Sequence, residues 1–263
     1  MREAIEAKLT AIEEAKKIKM LFAVESGSRA WGFPSKDSDY DVRFVYIHRP
    51  EWYLAIEKKR DVIEYPMDDL LDINGWDIRK ALGLLYKYNP ALMEWLHSPI
   101  VYRDEYKIRE RMKFIRSDCF ARRTSMFHYL SMATSNYRSY LKGETVKAKK
   151  YLYVLRPLLA CMWLENENSH PPLSFRTLME AQMQEQPQLK ERVEALLARK
   201  MAGDELSMVP RMCDLNSFIE ERLTYLEDYA KRLPMEPFCD MEQLNSFFMS
   251  LLREAWSLTL GYK

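Results

Sequence analysis

Glycine is scarce in this chain, at seven of 263 residues. That scarcity argues against an all-β protein full of tight turns and for a helix-rich one. Cysteine is scarce too. Cys119, Cys161, Cys213 and Cys239 stand far apart and make no Cys-x-x-Cys pair, so neither a zinc site nor a disulfide framework is expected. Buried free thiols in a reducing, cytoplasmic setting are the plain reading. No apolar run approaches the ~20 residues that span a bilayer. Residues 1–6 are charged and amphipathic, unlike a signal peptide, and no membrane partner is expected. Charge of one sign is lacking as well: 40 Lys and Arg face 39 Asp and Glu, a net charge of +1. Without a global basic field, any polynucleotide contact has to come from a local patch. His48, His97, His128 and His170 have no metal-ligand spacing. No Walker lysine and no Ser-His-Asp order is present, which disfavours a P-loop ATPase and a hydrolase triad.

Apolar residues make up 48% of the chain, enough for a proper core. Hydrophobic periodicity predicts a helix over 3–19, a strand over 20–25, a loop over 32–38 and a strand over 39–47. Two further strands follow near 61–66 and 70–74, the first cut short by Pro66. Asp77 is placed as the N-cap of the next helix, and Asn89-Pro90 closes that helix and opens another. From 105 onward the period is helical, with helices near 105–116, 118–142, 146–167, 174–183, 187–202, 214–232 and 240–257. The expected fold is α+β: a small mixed β-sheet domain over 1–110, then an all-helical domain over 111–263.

The densest signal lies between the first two strands. Met20-Leu21-Phe22-Ala23-Val24 leads into a polar turn, Gly27-Ser28. About ten residues later Asp39-Tyr40-Asp41 opens the second strand. Side chains alternate along a strand, so Asp39 and Asp41 point the same way. Two adjacent carboxylates repel each other unless a divalent cation lies between them. A Gly-Ser turn offers backbone N–H groups and a hydroxyl to a phosphate. Metal pair and phosphate cradle together are the apparatus of nucleotidyl transfer. Arg43 shares the strand face of the aspartates by period two and suits either a phosphate contact or an ion pair. Arg29 and Lys36 flank the turn. On the helix over 146–167, Lys149, Tyr153 and Arg156 fall on one face by i, i+4, i+7 spacing.

The Gly-Ser turn followed by Asp-x-Asp resembles the DNA polymerase β superfamily of nucleotidyltransferases. The wording Gly27-Ser28-Arg29-Ala30-Trp31-Gly32-Phe33 with Asp37-Ser38-Asp39-Tyr40-Asp41-Val42 is narrower. With Asp72-Ile73-Asn74-Gly75-Trp76-Asp77-Ile78-Arg79-Lys80 and Asn89-Pro90-Ala91-Leu92-Met93-Glu94-Trp95-Leu96, it is similar to bacterial and phage predicted nucleotidyltransferases associated with RNA ligases. The resemblance covers roughly residues 18–102, and more loosely the helical half beyond. It implies Asp39 and Asp41 as ligands of Mg²⁺ (or Mn²⁺), Gly27 and Ser28 on the triphosphate of an NTP, and a third carboxylate that completes the metal site or serves as base. Asp72 is the first candidate for that role, because an acid occupies its position in the resembling group. Asp77 comes second, with Glu64 and Asp69 behind. The resemblance also implies a helical domain that closes the cleft and supplies Lys149, Tyr153 and Arg156 to the nucleotide. The activity implied is NMP transfer from an NTP to an acceptor hydroxyl, possibly an RNA end in RNA repair, with a protein or small-molecule acceptor equally compatible. The alternative is a catalytically inert member of the fold that senses nucleotide or binds a protein.

Overall fold

The structure is a computed structural model that describes residues 1–257 apart from 68–69, 117–119, 168, 205–206 and 237–239. Asp69, Cys119 and Cys239, named above, lie outside the described residues; of the two described thiols Cys161 is buried as expected, whereas Cys213, at the start of a helix, is exposed. The chain forms two compact units, and neither is one continuous stretch. The first comprises Met1–Gly27, Asp39–Cys119 and Phe238–Lys263; the second comprises Ser28–Ser38 and Phe120–Pro237.

In the first unit, α1 (Arg2–Lys16) ends at Lys17 in the left-handed conformation and leads into β1 (Lys19–Glu25). The chain then enters a single helical turn, α2 (Gly27–Ala30), of which all but Gly27 belongs to the second unit. It returns as β2 (Tyr40–Ile47), α3 (Pro50–Tyr53), β3 (Val62–Glu64) and β4 (Leu71–Asp77). Next come α4 (Ile78–Tyr86), α5 (Pro90–His97), β5 (Val101–Arg103) and α6 (Ile108–Ile115). Among the described residues these strands build one sheet in the order β3-β4-β2-β1-β5. β2 and β4 are parallel and the other pairs antiparallel. A parallel pair needs a crossover connection, which residues 48–70 supply. α1 lays Ile5, Leu9 and Ile12 on the sheet against Ala23, Val42, Phe44, Tyr46 and Ile73. Each such aliphatic side chain stabilises the unit by about 1.5–3 kcal/mol. The expected caps are present. Asp77 accepts the Arg79 N–H at 2.8 Å, and Asn89 accepts the Leu92 N–H at 3.2 Å with Pro90 in the first turn. β5 has no counterpart in the sequence expectation; three half-buried residues are too few to show a period of two.

The second unit holds α7 (Arg122–Tyr140), β6 (Thr145–Lys147), α8 (Ala148–Glu167), α9 (Phe175–Gln182), α10 (Pro187–Met201), β7 (Met208–Pro210) and α11 (Cys213–Arg232). It is not all-helical. β6 and β7 pair as an antiparallel ribbon in which Val146 and Val209 face each other. Each strand buries only that one valine, so neither leaves a strand period in the sequence. The core surrounds α8, whose Leu152, Leu155, Leu158 and Leu159 are fully buried. Phe33, from the loop after the Gly-Ser turn, is inserted in this core edge-on to Phe175 and Tyr153. Lys200, only 2% exposed, donates to Ser38 Oγ at 2.8 Å and Ser35 Oγ at 3.2 Å and ties the same loop down.

The last described helix, α12 (Met241–Trp256), belongs to the first unit and packs on α4. Among the described residues no helix is long and apolar enough to cross a membrane.

Candidate active site

The parallel pairing of β2 with β4 puts Asp41 directly opposite Asp72. Register partners on neighbouring strands share a face, so the two carboxylates stand side by side on the sheet. Arg43, two residues along from Asp41, lies on that face as well. Its Nη2 donates to Asp41 Oδ1 at 3.0 Å and to Asp72 Oδ2 at 2.6 Å. Its Nη1 donates to the backbone carbonyls of Asp72 at 2.9 Å and Val42 at 3.2 Å. One guanidinium thus bridges both acids, with only 17% of its side chain exposed.

The other oxygen of Asp41 lies against the turn after β1. Gly27 adopts φ +58°, and a Cβ there would come within 2.0 Å of Asp41 Oδ2. Two independent constraints therefore select glycine: the left-handed backbone and the close approach of a carboxylate. The chain is fixed on either side, because the Ser26 N–H donates to the Asp41 carbonyl at 2.8 Å.

Asp39 stands exposed just before β2 begins. The other described carboxylate candidates, Asp77 and Glu64, lie elsewhere. Asp77 caps α4 at the far end of β4, fully buried, with Tyr53 Oη donating to it at 2.8 Å. Burial pushes its carboxyl up to about 6, held back by the Tyr53 and Arg79 hydrogen bonds. It borders a recess of about 250 Å³ lined also by Asp61, Lys58, Arg79 and Lys80. Glu64 is exposed and paired with Arg60.

The other sequence candidates belong to the second unit. Ser28 is buried, and its carbonyl accepts the Phe33 N–H at 3.0 Å. Arg29 donates to the Ser38 carbonyl at 2.7 Å and so braces the loop that Lys200 anchors. Lys36 is exposed. Of the helical trio, Arg156 is 1% exposed and stacks over Trp31 with 4.5 Å from its Cζ to the ring centroid. Tyr153 meets Trp31 and Phe33 edge-on, and Lys149 is half-buried. The shared helical face is thus a core face at Arg156, a distinction that charge spacing alone does not carry.

Residues 1–250 match the RlaP family, described as the RNA repair pathway DNA polymerase beta family. The chain belongs to this family. The uncharacterized protein YcgL of Bacillus subtilis (strain 168) is 46% identical over 256 residues, 97% of this chain and 98% of that protein. A crystal structure of a nucleotidyltransferase-like protein from Exiguobacterium sibiricum 255-15 is a remote likeness. It is 14% identical, with a TM-score of 0.33, over 86% of this chain and 74% of that one.

Within this family member, one residue that the sequence motifs do not mark shapes the acid face. Glu25 ends β1 and is 1% exposed. Its Oε1 accepts the Asp41 N–H at 2.8 Å, its Oε2 accepts the Tyr102 hydroxyl, and its carbonyl accepts the Ser98 hydroxyl at 2.6 Å. The available signal is a glutamate closing an otherwise apolar strand run one residue before Ser26-Gly27. Among the described residues, no three His, Cys, Asp or Glu side chains are gathered as a protein-only metal cage would require. Mg²⁺ does not require such a cage. It keeps waters and is usually bound through one or two carboxylates plus substrate phosphates. The all-oxygen pair of Asp41 and Asp72 suits that chemistry.

Proposed function

We propose that this chain is a metal-dependent nucleotidyltransferase that moves an NMP from an NTP to an acceptor hydroxyl and releases pyrophosphate. The observation that supports it most is the in-register pair Asp41 and Asp72, with Gly27 packed against one of the pair. Asp41 and Asp72, with Asp39 at the strand entrance, are the residues to hold Mg²⁺ or Mn²⁺. Bound there, the ion would supply charge neutralisation at the phosphoryl group and orientation for in-line displacement. The chain's own part is to hold the acids. Glu25 and Ser26 fix the backbone on either side of Asp41, and β4 presents Asp72 in register. Asp72 is also the candidate to take the proton of the acceptor hydroxyl. Gly27 and Ser28 are the candidates for the triphosphate. Membership of an RNA repair pathway family favours an RNA end as acceptor.

The test is a titration of each NTP with and without Mg²⁺, followed by label transfer from NTP to RNA carrying a free end. The expected result is Mg²⁺-dependent NTP binding and label transfer, both lost in Asp41→Asn with the fold intact. A wild-type chain that shows neither overturns the reading. The bridging of Asp41 and Asp72 by Arg43 favours one second reading, an inert nucleotide-binding member whose acids are permanently neutralised. Its mark is NTP binding without turnover on any acceptor.

A further inference from the structure

The Arg43 guanidinium occupies the position between carboxylates where a cation is needed. It holds both with one nitrogen and two carbonyls with the other. A second acceptor is close to hand. Asn74 is the register partner of Arg43 on β4, and its side-chain oxygen is buried with no hydrogen-bond partner among the described residues. A buried acceptor left without a donor is costly, and here it stands one strand away from the most donor-rich side chain on the face.

We propose that Arg43 is a resident counter-ion that competes with the divalent metal for Asp41 and Asp72, and that the metal enters only as the guanidinium gives up the carboxylates, with Asn74 Oδ1 as an alternative seat. The inference rests on the metal-and-nucleotide reading of the site. An ion alone has to displace a side chain held by four contacts. An NTP changes that balance twice: its phosphate oxygens complete the coordination of the ion, and their charge gives the released guanidinium a new partner. The consequence is ordered loading, with little metal bound before nucleotide. Such coupling is reciprocal, so metal and nucleotide each raise the other's affinity.

The test is Mn²⁺ binding to the full chain, followed by electron paramagnetic resonance of the free ion, first without nucleotide and then with a non-hydrolysable NTP analogue. Arg43→Gln should bind Mn²⁺ about tenfold or more tightly than wild type in the absence of nucleotide, and the gap should narrow once nucleotide is present. Arg43→Gln should also melt lower than wild type in EDTA and regain more on adding Mn²⁺, because its two acids then lack the guanidinium that bridges them. A merely structural arginine would lower metal affinity when removed, not raise it. If Arg43→Gln does not fold, Arg43→Lys carries the test, since a single ammonium replaces the planar fork and releases the acids more readily. The control is Asp41→Asn in each background. Variants of Arg43 that bind Mn²⁺ no more tightly than wild type, while Asp41→Asn still removes the binding, overturn the counter-ion proposal and leave the metal site standing. Mn²⁺ that binds no form with or without nucleotide, or binds all forms regardless of Asp41, overturns the metal reading and this proposal with it.

Discussion

Gly27 and Asp41 are packed so closely that no side chain fits between them: a Cβ on Gly27 would lie 2.0 Å from Asp41 Oδ2 and 2.8 Å from its Cγ. Gly27→Ala should therefore push the carboxylate off its position and strain a backbone at φ +58°. The expected stability loss is about 1–3 kcal/mol. Mg²⁺-dependent NTP binding should fall further than that loss explains. Thermal melting set beside NTP titration separates the two; unchanged binding would show that the turn does not work through Asp41.

Glu25 acts on the same aspartate from the other side. Glu25→Leu would leave the Asp41 N–H and the Tyr102 hydroxyl without their acceptor. Leaving buried donors unsatisfied costs about 1–3 kcal/mol apiece. Glu25→Gln keeps an acceptor for one donor and should lose about half as much. Chemical denaturation of both variants ranks them, and an equal loss would mean that only one of the two bonds counts.

Gly75 makes the second tight approach in the sheet. It pairs with Phe44, and a Cβ there would sit 2.2 Å from the Phe44 ring. The φ of Gly75 is ordinary, so the conflict is one of space alone. Gly75→Ala should cost about 1–3 kcal/mol through overpacking, and trimming the ring in Gly75→Ala/Phe44→Leu should recover part of it. Denaturation midpoints of the single and double variants check this, with additive losses as the outcome that contradicts the contact.

Asp77 sets a pH dependence. Burial raises its folded pKa to about 6 from an ordinary 3.8. A carboxyl raised on folding favours the folded state while protonated, so this contribution is complete below pH 3.8 and is lost as pH rises through about 6. The full difference is at most about 3 kcal/mol. His48 runs the other way. Burial lowers its pKa to about 4, so its contribution holds above its ordinary 6.5 and fades as pH falls towards 4. Subtracting Asp77→Asn from wild type isolates the first effect. The wild type should lose stability relative to Asp77→Asn between pH 4 and 6, as read from urea midpoints, and a flat difference would mean that Asp77 titrates normally.

Local chemistry was legible along the sequence. The Gly-Ser turn, the strand of Asp41 and Arg43, and the caps at Asp77 and Asn89 each rest on neighbours within a few residues, and the structure has them. What pattern could not reach is pairing at a distance. Nothing within residues 39–47 says that β4, and not another strand, lies beside β2, so the register of Asp41 with Asp72 is set by the crossover and not by local pattern. Glu25 went unmarked because its partners, Asp41 and Tyr102, are 16 and 77 residues away. Arg156 shows the opposite error, since helical spacing groups it with the half-buried Lys149 and Tyr153 while Trp31 and Tyr129 cover it.

The return of α12 to the first unit has a consequence for synthesis on the ribosome. The second unit takes no residue later than Pro237, whereas the first draws on Phe238–Lys263. A nascent chain therefore holds every part of the later unit while the earlier one still lacks the helix that covers α4. The unit that begins first finishes last, and until its final turns emerge the face of α4 that meets α12 is open to chaperones.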